Sequence, residues 1–154
     1  ERLHFDLEPF PLPVRADAAG IEQILMNLVR NASDATRKGG EIRVVTRRAG
    51  ATEVARLTEF AAQAGGAIRL EVADSGVGMD AEVQAHLFEP FFTTKPPGEG
   101  TGLGLASVYG IVQQCGGAIQ VESAAGRGAS FRVYLESAGL APKSFPPTRP
   151  DGAA

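Results

Sequence analysis

Two asparagines and an aspartate, Asn27, Asn31 and Asp34, recur at i, i+4 and i+7 within NLVRNASDA. On a helix that spacing places all three on one stripe. Asparagine and aspartate are mediocre in helix interiors, so such a stripe asks for a role. A solvated face is one reading; a neutral side-chain oxygen held against Mg²⁺ beside phosphates is the other. Farther along, FEPFFTTKPPGEGTGLGL (88–105) joins three phenylalanines, Lys95, a soft Pro-Pro-Gly loop and the ladder Gly98, Gly100, Gly102, Gly104. Alternating glycines let the backbone reach positive φ and let an anion approach the main chain with no Cβ in the way. Leu103, Leu105, Ala106, Val108, Tyr109, Ile111 and Val112 follow with helical periodicity. The ladder therefore opens a helix whose free N–H groups and dipole favour negative charge. Phosphate binding is the chemistry predicted there. A third group, DSGVGM, takes Asp74 out of a strand and turns the chain at Gly76 and Gly78. Alone, D-x-G-x-G is a weak signal, since aspartate and glycine after a strand usually mark a turn.

Periodicity supplies the elements that must position these groups. Behind Asp17, placed as an N-cap, Ile21, Ile24, Leu25, Leu28 and Val29 fall at i, i+3, i+4, i+7 and i+8, which predicts a helix ending near Gly39. EIRVVTRR (41–48) and AIRLEVAD (67–74) alternate as half-buried strands. Between them, residues 51–66 read as a short helical or loose insertion to which no chemistry attaches. Asp80 predicts the cap of a short helix through Leu87, with His86 in a structural role. The helix opened by glycines stops at Gly116-Gly117, and AIQVES (118–123) with SFRVYLE (130–136) then predict a terminal hairpin. Residues 1–15 alternate but carry three prolines, which suits an extended edge segment, with His4 on the surface. The tail, 137–154, is rich in proline and small residues and reads as a linker or disordered end, with the domain boundary near Ser137.

A chain of 154 residues is long enough for one domain with a real core and short for two. A net charge of −3 argues against a nucleic-acid surface, so phosphate recognition must be local. The single Cys115 excludes an internal disulfide framework and is expected as a buried core thiol. No run has the length of a transmembrane span and no signal peptide opens the chain. The expectation is a soluble cytoplasmic domain without membrane contact of its own, whatever anchors the full-length protein. Because Glu1 is not a methionine, the chain is expected to be a piece of a longer protein.

Taken in order, these parts resemble the ATP-binding catalytic domain of sensor histidine kinases. That domain shares the Bergerat-fold superfamily with gyrase, the ninety-kilodalton heat-shock chaperone and mismatch-repair ATPases. Its N, G1, F and G2 boxes are matched by NLVRNASDA, DSGVGM, FEPFF and GEGTGLGL, and the resemblance extends over residues 14–136. It implies an α/β two-layer sandwich, with helices on one face of a mixed sheet and ATP held between the helix layer and a flexible lid at about 93–101.

Carried over by position, the resemblance makes Asn31 the oxygen ligand of Mg²⁺, and it sets Asn27 toward the phosphates and Asp34 in the nucleotide site on the same stripe. Lys95 becomes a mobile positive charge for the triphosphate, and the backbone of Gly100, Thr101, Gly102, Leu103 and Gly104 its cradle. Asn27 and Lys95 are thus the candidate catalytic residues. Asp74 becomes the adenine reader. A carboxylate accepts from the exocyclic amine of adenine, whereas guanine would set a carbonyl oxygen against it. Gly76 and Gly78 make room for the base, and Phe88, Phe91 and Phe92 fix the base of the lid.

Two positions depart from the superfamily pattern. Hydrolytic members carry a glutamate one turn before the metal asparagine, and Asn27 stands there instead. A histidine acceptor needs no activated water, because neutral imidazole already offers a lone pair, so the departure favours a kinase over an ATPase. Ala129 replaces a hydroxyl in the G-x-G-T-x-F motif otherwise matched by Gly126, Gly128 and Phe131, which implies somewhat weaker affinity.

The resemblance implies two partners, a phosphoacceptor histidine domain and a downstream response-regulator receiver. No H-E-x-x-x-P-like segment is present, so this chain alone is not expected to autophosphorylate. The TTK after FEPFF and the VYGIVQQCGG helix resemble the nitrogen-regulation and hybrid-kinase subgroups. The alternative function is an ATP-sensing module without phosphotransfer. A dinucleotide-binding oxidoreductase fails, because the last glycine of G-x-G-x-x-G would fall at Leu105.

Overall fold

In the computed structural model, which describes residues 2–57, 60 and 66–139, nine elements follow one another. They are β1 (Arg2–Asp6), α1 (Ala18–Ala35), β2 (Glu41–Arg48), α2 (Ala51–Ala55), β3 (Ala67–Asp74), α3 (Ala81–His86), α4 (Gly104–Gln114), β4 (Ala118–Ser123) and β5 (Ala129–Glu136). The expectations for residues 140–154, and for most of the insertion beyond Leu57, lie outside the described residues. The five strands form one mixed sheet in the order β1-β2-β3-β5-β4, with β1 parallel to β2 and the other pairs antiparallel.

Strand alternation decides where the core sits. Ile42, Val44, Leu70, Val72, Phe131, Val133 and Leu135 project to one face, where they bury Ile24 and Leu28 of α1 and Val108 and Val112 of α4. Covering a side chain of this size contributes about 1.5–3 kcal/mol. Together these contacts hold the two site-bearing helices side by side on the sheet. Cys115 is half-buried at the edge of this core.

Two details differ from expectation. α1 stops at Ala35 rather than near Gly39, because its last carbonyls are claimed elsewhere. Thr36 Oγ1 donates to the Ala32 carbonyl at 2.6 Å, and the Ala35 carbonyl accepts from the N–H of Val77 in the loop after β3 at 3.1 Å. Asp17 occupies the N-cap without a capping hydrogen bond from its side chain, whereas Asp80 caps α3 by accepting from the Val83 N–H at 2.9 Å. As expected, α1 and α4 cover one face of the sheet. Val54 of α2 packs with Leu57, Phe60, Ala67, Ala118 and the fully buried Tyr134 on the opposite face, where the Tyr134 hydroxyl donates to Glu53 at 2.7 Å.

Edge strand β1 is exposed along its length, and His4 lies on the surface 3.7 Å from Glu41. Ser137 is buried and bridges to Val14, and the Ala138 N–H donates to the Pro13 carbonyl at 2.9 Å. Among the described residues no helix is long and apolar enough to cross a membrane.

Candidate functional site

A cavity of about 760 Å³ opens between α1, the loop after β3, α3 and the segment leading into α4. It gathers Asn27, Asn31 and Asp34 from α1, Asp74 from the end of β3, Gly78 from the loop after it, and Lys95, Gly100, Thr101, Gly102, Leu103 and Gly104 from the far wall. Groups separated by up to 77 positions in sequence thus face one space. Of the candidates only Gly76 stays off the lining. Its missing side chain serves packing, since a Cβ there would collide with the Ala35 carbonyl of α1.

The end of the cavity around Asp74 is built from backbone. Asp74 is the last residue of β3, paired with Ile42 on one side and Ala129 on the other. Its Oδ1 accepts from the Gly76 N–H at 2.8 Å, an Asx-type turn that aims the carboxyl into the cavity. Burial raises its pKa above the usual aspartate value, and the N–H groups of Gly76 and Ala129 offset part of that rise. Beside it, Gly78 and Gly128 take left-handed φ values of 67° and 71°. A Cβ on Gly78 would strike the Ala124 carbonyl, and one on Gly128 the Asp74 carbonyl. The Ala129 methyl lines the cavity where a hydroxyl would have offered a hydrogen bond.

The α1 stripe forms one long wall. Asn27 is half-buried, its Nδ2 is fully covered, and among the described residues that atom has no hydrogen-bond partner. A buried amide N–H without an acceptor costs about 1–3 kcal/mol, so its position beside the cavity fits an anionic oxygen. A Cβ on Gly104 would lie 3.9 Å from Asn27 Oδ1, which puts the start of α4 directly across from it. No cluster of three or more His, Cys, Asp or Glu side chains that could hold a metal by itself occurs among the described residues. Asn31 lines the same wall one turn along from Asn27.

The far wall is held differently. Between Thr93 and Thr101 there is no helix or strand, and most residues are exposed. The Lys95 ammonium is ion-paired with Asp34 of α1, tying this segment to the opposite wall. At its base the Phe91 N–H donates to the Gly102 carbonyl at 2.9 Å, with Phe91 at φ 67° and the residue 75% exposed. Phe88 stacks on Tyr109 of α4 with ring centroids 5.3 Å apart, and Phe92 lies 5.7 Å from His86. Two rings and one backbone bond thus anchor the base. Gln23 and Arg30 also line the cavity, although the sequence did not mark them. Their signal was available, since they stand at i−4 and i+3 from Asn27 on the same helix.

Residues 16–139 match the family described as histidine kinase-, DNA gyrase B-, and HSP90-like ATPase. Sensor kinase CckA of Brucella abortus (strain 2308) is 45% identical over 123 residues, which is 80% of this chain and 13% of that protein. Sensory histidine kinase/phosphatase NtrB of Rhodobacter capsulatus is 38% identical over 144 residues, covering 91% of this chain and 37% of its own length. Full-length ShkA, solved in complex with AMPPNP, superposes with a TM-score of 0.70 at 29% identity, covering 92% of this chain and 27% of that one. The chain spans well under half of each of these proteins. It belongs to the histidine kinase-, DNA gyrase B- and HSP90-like ATPase family, as a catalytic ATPase domain of the sensor-histidine-kinase kind.

Proposed function

We propose that this domain binds Mg-ATP in the cavity between α1 and the 93–101 lid and donates the γ-phosphate to a histidine on a separate phosphoacceptor domain in two-component signalling. The observation that carries the reading is one cavity with a half-buried carboxyl at one end, Asp74, and an unpartnered amide, Asn27 Nδ2, on the wall facing the start of α4. A base with an exocyclic amine suits the first, and phosphate oxygens suit the second. The nucleotide analogue in the ShkA complex supports the ligand class.

In this reading Asp74 accepts from the adenine amine, with Gly78 keeping the loop close. Asn27 donates to a phosphate oxygen, Lys95 leaves Asp34 for the triphosphate, and the N–H groups from Gly100 to Gly104 face the remaining oxygens. Asn31 contributes an oxygen to Mg²⁺, which when bound neutralises phosphate charge and orients the terminal group. The acceptor imidazole lone pair forms the N–P bond while the bond from γ-phosphorus to the bridging oxygen breaks, and ADP leaves. No general base is required on α1, in keeping with asparagine at position 27. The acceptor histidine, and a receiver domain that takes the phosphoryl group onward, belong to the partners we assign to it.

The test mixes this domain with the histidine-bearing segment of its own parent protein and Mg-ATP. Acid-labile phosphate on that segment is expected. A folded domain that binds ATP yet labels nothing would favour the ATP-sensing module instead.

A further inference from the structure

We propose that Arg30 is the standing cation of the cavity's phosphate end and that its guanidinium grips the terminal phosphate of a nucleoside triphosphate. This rests on the reading of the cavity as an ATP site. Two cationic side chains line the cavity, Arg30 and Lys95, against the carboxylates of Asp34, Asp74 and Glu99. Asp34 holds the Lys95 ammonium, so that pair presents no net charge to a ligand. Arg30 is exposed and enters no ion pair among the described residues. It is the positive charge already free to meet an anion.

Its place on α1 decides which phosphate it meets. The base-reading loop adjoins the C-terminal end of the helix, where the Ala35 carbonyl accepts from Val77. Asn27 lies eight residues back along the helix, about 12 Å at roughly 1.5 Å per residue. That span suits an extended nucleotide with its base at Asp74 and its last phosphate near Asn27. Helical side chains lean toward the N-terminus of their helix, so Arg30 covers the surface at the level of Asn27 and not that of the base. The covered, unpartnered Asn27 Nδ2 at that level independently calls for an acceptor. An arginine there supplies two parallel N–H donors in a planar fork that matches phosphate oxygens. Lys95 is the charge carried by the lid, and Arg30 the one carried by the helix wall. ADP lacks the phosphate that Arg30 grips, so this residue separates ATP from ADP.

Calorimetry of Mg-ATP and Mg-ADP binding to this chain, in the wild type, Arg30→Ala and Arg30→Lys, tests the assignment. Arg30→Ala should weaken ATP by about tenfold and leave ADP within about twofold, and Arg30→Lys should recover part of the loss. Equal weakening of both nucleotides, or no weakening of ATP, overturns it. Failure of the wild type to bind ATP at all would instead remove the nucleotide reading beneath it.

Discussion

The two ends of the cavity are held by different kinds of bond. Around Asp74 the contacts are short and mostly backbone: Ser75 N–H to the Glu41 carbonyl at 3.0 Å, Val77 N–H to Ala35 at 3.1 Å, and Gly126 N–H to the Val77 carbonyl at 2.7 Å. The Met79 N–H adds a bond to Ser123 Oγ at 2.9 Å, and that hydroxyl donates to the Gly128 carbonyl at 2.6 Å. The lid, by contrast, reaches α1 through the Lys95–Asp34 ion pair, whose two side chains are 39% and 41% exposed. Half-buried backbone bonds open only with larger unfolding, whereas exposed ion pairs exchange with water and salt. A site that must recognise one base and still release a product benefits from this division. In the proposed ATP site, base selection is then preorganised and the phosphate end stays free to open.

The largest expected effect breaks the rigid end. Gly128→Ala forces a Cβ into the Asp74 carbonyl at a left-handed φ, and should cost about 3 kcal/mol or more of folding stability. Gly98→Ala is its control in the lid. It has φ 90° but nothing near the added Cβ, so about 1 kcal/mol is expected. Denaturant unfolding of both variants checks the difference, and equal losses would end the distinction between a welded end and a loose one.

Next comes the carboxyl itself. Asp74→Asn keeps an oxygen for the Gly76 N–H but loses the charged acceptor, so ATP affinity should fall by about 10- to 100-fold by calorimetry. Acid should reproduce part of that loss in the wild type. Burial raises the Asp74 pKa, so protonation removes the acceptor at a higher pH than for an ordinary aspartate. The same shift has the opposite sign for the fold. A raised carboxyl pKa means that the folded state binds the proton more tightly than the unfolded one, so this group favours folding as pH falls and disfavours it as pH rises through the folded pKa. As pH falls through the folded-state pKa of Asp74, wild-type ATP affinity should therefore drop while the Asp74 penalty on stability is relieved, and Asp74→Asn should show neither change beyond the ligand's own titration.

How much of this was visible in the sequence follows the same division. β2, β3 and β4 appear with the bounds that alternation predicts, because Ile42 and Val44, Leu70 and Val72, and the partly buried Ile119 and Val121 all face one core. Most of the candidate residues converge on one cavity because boxes far apart in sequence sit at the ends of those same elements. The end of α1 was not legible, since Ala35 is stopped by a carbonyl bond to Val77, 42 positions away. Nor was the helix contact of Gly76, whose missing Cβ accommodates that same helix end as well as the Asp74 carboxyl beside it. The second apolar face also escaped notice, because the insertion residues are only weakly periodic. What fixes α2 there is the Glu53 carboxylate, shared between the Tyr134 hydroxyl and Arg69 Nη1 at 2.7 and 2.8 Å. Such partners are tertiary facts that no local pattern announces.

The smallest expected effect concerns the lid pair, where stability is the wrong readout. An exposed ion pair contributes about 0.2–1 kcal/mol, so Lys95→Ala and Asp34→Asn should leave global unfolding nearly unchanged. Each should still free the lid from α1. Amide hydrogen exchange in the nucleotide-free chain resolves this, because exchange reports local opening that global unfolding averages away. Amides from Thr94 to Thr101 should exchange faster in either variant, while those of Ser75, Val77 and Met79 keep the wild-type rate. Added salt should speed the lid amides of the wild type toward the variants, by screening the charges that hold it. Lid amides indifferent to both substitutions and to salt would mean that the Phe91–Gly102 bond and the stacked Phe88 hold the segment by themselves, and that the two ends of the cavity differ less than their chemistry implies.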